Sequence, residues 1–76
     1  MKDRVISVLK RMSGSEEVEI RDVLQNDLGF DSMMMVTLLL EIENEFGIEL
    51  KEEDMNPYGL VFVLDVVKLV EKYEFK

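Results

Sequence analysis

Residues 27–50 read DLGFDSMMMVTLLLEIENEFGIEL, and this stretch decides the fold. Gly29 lets the chain turn tightly just before a strong helical pattern. Asp31 or Ser32 then stands where a helix cap is wanted, because a short side-chain oxygen there can accept an orphan N–H. From Met33 to Phe46 there is no Gly or Pro, and good helix formers are frequent. Val36, Leu39, Leu40, Glu43 and Phe46 fall along one side of the predicted helix, and Leu38 and Ile42 widen its apolar face. Glu41, Asn44 and Glu45 mark the wet side. Gly47 supplies the stop. The pattern predicts a helix over 33–46.

Working outward, Val5, Ile6, Leu9 and Met12 recur at steps of three and four residues and predict a helix over 2–12, ended near Gly14. Residues 16–31 show no sustained helical period. They read as a long loop tacked to the core by Val18, Ile20, Val23, Leu24, Leu28 and Phe30, with one helical turn near 21–24. So long a loop in so small a domain points to function. Ile48 and Leu50 are too few to make a strand. A short helical turn is expected within 52–58, broken around Asn56-Pro57. Val63, Val66, Val67 and Val70 predict a last helix over 61–73. Its β-branched content leaves a strand over 60–67 as the alternative. The expected architecture is all-α, a small four-helix bundle of three long helices and one short one with a long first loop. The predicted core is Val5, Leu9, Val36, Leu39, Ile42, Phe46, Val63, Val66 and Val70.

Length and composition narrow the function. The chain has 76 residues, enough for a single domain over 1–76 with one modest core. It has no Cys and no His, which removes disulfides, thiolate or histidine metal sites and Ser-His-Asp chemistry. Its 17 acids against 9 bases give a net charge of −8, a poor match for nucleic acid or anionic membranes. No apolar run approaches the roughly 18 residues of a membrane span. The pattern D-x-[DN]-x-[DN]-G of a calcium loop does not occur, which sets aside a small calcium sensor. The expectation is an acidic, cytoplasmic protein that works by contact and not as an enzyme.

One place has chemical potential. Ser32 sits at the predicted start of the longest helix, directly after Asp31. A helix start offers unpaired N–H groups and about half a positive charge, so it tolerates a phosphodiester. The competing reading is that Asp31 and Ser32 are caps and nothing more.

The whole stretch resembles the acyl carrier protein family. That family's pattern, an acidic-Leu-Gly-x-Asp-Ser-Leu run followed by a helix ending in Glu-x-x-Phe, is matched by residues 27–33 and by Glu43-Asn44-Glu45-Phe46. Length, acidity, long first loop and last helix agree as well. The resemblance implies a monomeric four-helix bundle with 4′-phosphopantetheine on Ser32. The arm would end in a thiol that carries acyl or aminoacyl groups as thioesters. Asp31 would help orient the phosphodiester, or the modifying enzyme and its magnesium. The implied partners are a phosphopantetheinyl transferase, and ligases, transferases and synthases with basic or apolar docking patches. Partner contacts are expected at Met33, Met34, Thr37, Glu43, Glu52, Glu53, Asp54 and Met55. Met55 and Tyr58 lie where the family's short third helix lines the arm.

Departures from the family pattern bear on subtype. Met33 replaces the usual Leu, a mild change. Met34, Met35 and Thr37 stand where acids are common in fatty-acid carriers. Successive helical residues are about 100° apart, so three methionines in a row cannot all face one core. At least one should be exposed, and methionine suits adaptable binding surfaces. The Asp-Ser-Met start and Leu38-Leu39-Leu40-Glu41 also resemble D-alanyl carrier proteins. A discrete carrier in a polyketide, modified-lipid or aminoacyl pathway is expected. The alternatives are a housekeeping fatty-acid carrier and an unmodified helical adaptor.

Overall fold

A computed structural model describes residues 2–74 of the chain. Three α-helices, α1 (Lys2–Ser13), α2 (Ser32–Phe46) and α3 (Val63–Glu74), pack around one core. Each buries a stripe set by helical spacing: Val5, Val8 and Leu9 on α1, and Met35, Leu38, Leu39 and Ile42 on α2. On α3 the stripe is Val63, Val66, Val67, Leu69 and Val70. Gly14 and Gly47, at φ 75° and 63°, close α1 and α2 in the left-handed conformation that glycine adopts without strain.

The expected short fourth helix is two separate 3₁₀ turns, Glu52–Asp54 and Pro57–Gly59. The cause is local. Asn56 precedes proline and is extended, at φ −107° and ψ 102°, so the first turn cannot run on into the second. The Asn56 side chain instead accepts the Tyr58 N–H at 3.0 Å and starts a new turn. The expected helical turn over 21–24 is displaced along the chain: Val23 bridges antiparallel to Phe62, and the turn follows, with the Asp27 N–H donating to the Val23 carbonyl at 2.8 Å. That bridge is also what remains of the strand alternative for 60–67, because α3 begins at the next residue.

The core differs from expectation on α2. Val36 was expected inside but is 47 % exposed, whereas Met35 and Leu38 are buried. Phe46 is half-buried and packs against the core from its edge. Leu39 and Ile42 face inward as expected, and the centre of the inward face is rotated by about 40° so that Met35 and Leu38 take the place of Val36. The sequence of α2 is apolar on several sides, so its period could not choose between the two faces. Packing chose the face with Leu38 and Ile42 at its centre.

The first loop is part of the core. Leu24 is fully buried, and Val18 and Phe30 nearly so. Its backbone clasps the start of α3: the Leu24 N–H donates to the Val61 carbonyl, and Val63 and Leu64 donate to the carbonyls of Asp22 and Ile20, all at 2.9 Å. The Asp65 carboxylate accepts the N–H groups of Val61 at 3.0 Å and Phe62 at 2.8 Å. Together these bonds satisfy the donors that a helix start leaves orphaned.

A second lock fastens the first 3₁₀ turn to the end of α3. The Asp54 carboxylate accepts from Lys72 Nζ at 2.6 Å and from the Tyr73 hydroxyl, and Tyr73 Oη accepts the Lys51 N–H at 2.8 Å. The Lys72 ammonium and then the Tyr73 hydroxyl hold the Asp54 pKa below its ordinary value. Burial, then the bond to Asp54, pushes Tyr73 up; the bond to Asp54 also raises Lys72.

Two outcomes follow from this packing. In urea unfolding, Leu38→Ala should cost about 2–5 kcal/mol, while Val36→Ala should stay within about 0.5 kcal/mol. The lock should show in the pH dependence of the melting temperature. Asp54, depressed in the fold, contributes stability above its unfolded pKa and loses it as pH falls below about 4. Tyr73 and Lys72, raised in the fold, contribute below their unfolded pKa and lose it as pH climbs above about 10. The gap between the wild type and Asp54→Asn should be widest between these limits and narrow at both ends.

Candidate functional site

The site is built by the loop that delivers Ser32 to α2. Phe30 is buried, and its N–H donates to the Leu24 carbonyl at 3.0 Å, so the chain is anchored one residue before Asp31. Gly29, at φ 71°, makes the turn into that anchor. Asp31 is the N-cap of α2: it is extended, and its Oδ1 accepts the Met34 N–H at 2.8 Å. Its carbonyl accepts the Met35 N–H at 3.0 Å. The cap reading of Asp31 is thus realised in the fold.

That leaves the next residue available. Ser32 is the first residue of α2, exposed, and its hydroxyl has no hydrogen bond among the described residues. The N–H groups of Ser32 and Met33 likewise have no acceptor among the described residues. An accessible hydroxyl beside orphan donors at the positive end of a 15-residue helix suits a phosphodiester linked to Oγ. Among the described residues no three His, Cys, Asp or Glu side chains gather as a metal site.

The other expected positions divide by environment. Met33 stands out at 79 % exposure, Met34 is half-buried against the core, and Met35 is inside it. Thr37 is exposed, with its hydroxyl donating to the Met33 carbonyl at 3.1 Å. Glu43 is half-buried, and its Oε2 accepts the Leu50 N–H at 2.8 Å, bracing the segment that leaves α2. Glu52 and Glu53 are exposed. The Asp54 side chain is only 13 % exposed and is engaged by the lock with Lys72 and Tyr73. Met55 is half-buried, packed against the cluster of Leu39, Leu50 and Leu69.

Tyr58 is 78 % exposed beside a cleft of about 140 Å³ that Val23, Gln25, Leu60 and Val61 also line. The loop that presents Ser32 forms one wall of this cleft. Val36 and Leu40, expected on the inward side of α2, are instead exposed at 47 % and 53 %. Their signal was present in the surplus of apolar residues on that helix, more than one inward face can hold.

Known proteins agree with this geometry. Residues 2–60 match the family described as a phosphopantetheine attachment site. The acyl carrier protein of Chlorobium phaeovibrioides is 32% identical over 63 residues, covering 80% of this chain and 81% of that protein. The acyl carrier protein of Rickettsia bellii is 30% identical over 76 residues, covering 97% of this chain and 86% of its own. A segment amounting to 2% of a non-reducing polyketide synthase from Emericella nidulans is 41% identical over 69 residues, or 90% of this chain. A solved Mycobacterium tuberculosis structure, assigned as an acyl carrier protein, superposes with a TM-score of 0.83 at 27% identity, covering 95% of this chain and 96% of that one. With its all-α fold and a serine at the start of its longest helix, this chain belongs to the acyl carrier protein family, whose members bear 4′-phosphopantetheine and are carriers, not catalysts.

Proposed function

We propose that Ser32 is the attachment point of 4′-phosphopantetheine and that the chain presents acyl or aminoacyl groups to partner enzymes in a specialised pathway. When bound, the group supplies a thiol on a long flexible arm, on which such cargo is held as a thioester. The residues here fit it. Ser32 offers an exposed Oγ, and the free N–H groups of Ser32 and Met33 face the charge a phosphodiester brings. Asp31 holds this geometry by capping the helix, and Phe30 fixes the loop behind it. The observation that carries the reading is the exposed, unpaired serine at the first position of α2 within the matched family region.

The charge pattern of α2 supports a specialised pathway over housekeeping fatty-acid synthesis. Residues 32–40 contain no acid or base. The likeness to a segment of a polyketide synthase favours polyketide-type cargo over the other specialised classes. Met33, Met34, Thr37, Glu52, Glu53 and Met55 are proposed as partner contacts. Glu43 and Asp54 act first within the fold, bracing Leu50 and the end of α3. Among the described residues no helix is long and apolar enough to cross a membrane, and the carrier is proposed to work as a monomer in the cytoplasm.

The experiment is intact-mass measurement after incubation with a broad-specificity phosphopantetheinyl transferase, coenzyme A and magnesium. The wild type should gain one phosphopantetheinyl group and Ser32→Ala none. A folded wild type that gains nothing, or a mutant that gains as much, contradicts the assignment of Ser32 and favours an unmodified adaptor.

A further inference from the structure

The exposed side of α2 next to Ser32 is apolar and carries no charge. Met33, Val36 and Leu40 are 79 %, 47 % and 53 % exposed. Their spacing of i, i+3 and i+7 lines them along one face. The stripe runs for about 10 Å, at 1.5 Å per residue. Thr37, also exposed, spends its hydroxyl on the Met33 carbonyl and offers little polarity to a visitor.

Despite the net charge of −8, residues 32–40 hold no charged side chain, and the acids lie beyond the two ends of the stripe. At its start, Asp31 is committed to the helix cap. At its far end Glu43, one turn beyond Leu40 on the same face, is half-buried with its Oε2 on the Leu50 N–H at 2.8 Å, while Glu41 pairs with Arg11 at 3.0 Å and Glu45 with Arg4 at 3.5 Å and Arg11 at 3.7 Å on another side. The exposed acids Glu49, Glu52 and Glu53 follow only after α2 has ended.

We propose that the Met33–Val36–Leu40 stripe is a charge-free docking surface, and that the transferase that modifies Ser32 covers it with an uncharged apolar recess rather than a basic patch. The proposal rests on Ser32 being the modified residue. An enzyme acting on Ser32 Oγ must bring its groups within about 3 Å of that atom. Its surface then necessarily overlies the first turns of α2, where this stripe is the exposed material. Charge complementarity decides the chemistry: a basic patch laid along Met33, Val36 and Leu40 would lose its hydration and meet no anion on those residues, Asp31 lying ahead of them at the helix cap. Methionine at the edge nearest Ser32 adapts its shape to the recess. Docking of this kind should depend little on salt, because no exposed charge pair forms at its centre.

The test uses the phosphopantetheinyl transferase of the source organism, coenzyme A and magnesium, with kcat/KM read by intact mass. Added salt takes the ionic strength from about 0.02 to about 0.5 M, shrinking the screening length from roughly 20 to roughly 4 Å. The wild type should change by less than about twofold over this range, since rim charges and not apolar contacts carry salt dependence. Leu40→Glu and Val36→Glu should each lower kcat/KM about tenfold or more through KM, with Leu40→Met close to wild type. Circular dichroism confirms that each variant is folded.

A wild-type rate that falls about fivefold or more with salt shows a basic docking patch and overturns the proposal. So does a folded Leu40→Glu that is modified at the wild-type rate. If sedimentation shows the wild type to be a dimer that Leu40→Glu dissociates, a second copy covers the stripe and the proposal is wrong. A wild type that gains no mass at any salt overturns the Ser32 assignment itself, and the docking proposal with it. That outcome is distinct from modification with the wrong salt dependence.

Discussion

The structure depends on one interlock: the backbone of the first loop satisfies the orphan donors at the start of α3. A helix start leaves several N–H groups without partners, and leaving them unmet in a packed interior is costly. Here the carbonyls of Ile20 and Asp22 take the N–H groups of Leu64 and Val63, and Leu24 returns a bond to Val61. The Asp65 N–H donates to the Phe62 carbonyl, and the Asp65 carboxylate takes the N–H groups of Val61 and Phe62 just ahead of the helix. Because Leu24 is fully buried and its carbonyl also holds Phe30, the same interlock fixes the chain just ahead of Asp31 and Ser32. The long loop is therefore a rigid mount, and Ser32 is held at a defined point on α2.

That mount explains how a protein without a catalytic apparatus can serve demanding partners. A carrier must show the same surface to every enzyme that acts on it, so Ser32, the proposed attachment point, should move little relative to the proposed docking face. Asp31 achieves this at short range by capping α2. The ion pairs of Arg4 and Arg11 with Glu41 and Glu45 tie α1 to α2 along another side. These pairs are exposed and individually worth little. They place Glu41 and Glu45 on a side of α2 away from the exposed Met33, Val36 and Leu40.

Much of this was legible in the sequence. The three helices follow from apolar spacing and from glycine stops at Gly14 and Gly47. The place of Ser32 at the start of α2 was legible because Gly29 and the capping acid Asp31 stand just before the strongest helical run. The inward face of α2 was not, because Val36 and Leu40 are as apolar as Leu38 and Ile42, and period alone cannot choose among them. The interlock was hidden for a different reason. Bonds from Ile20, Asp22 and Leu24 to residues some forty positions later leave no local trace, apart from buried side chains scattered in a loop and an acid at Asp65. Asp54 follows Glu52 and Glu53, and from the sequence it is expected as a partner contact. Only the approach of Lys72 and Tyr73 from the end of α3 shows it as a lock.

The loop presenting Ser32 belongs to the folded core and is held there by the start of α3. Native-state amide hydrogen exchange tests it most directly. The N–H groups of Leu24, Val63 and Leu64 should be protected to within about 1 kcal/mol of core amides such as that of Ile42, because they open only when the bundle does. If those three amides exchange as fast as the open-loop amides of Glu16 and Glu17 while Ile42 stays protected, the loop is a separate mobile segment. Ser32 would then be displayed on a tether and not on a fixed mount.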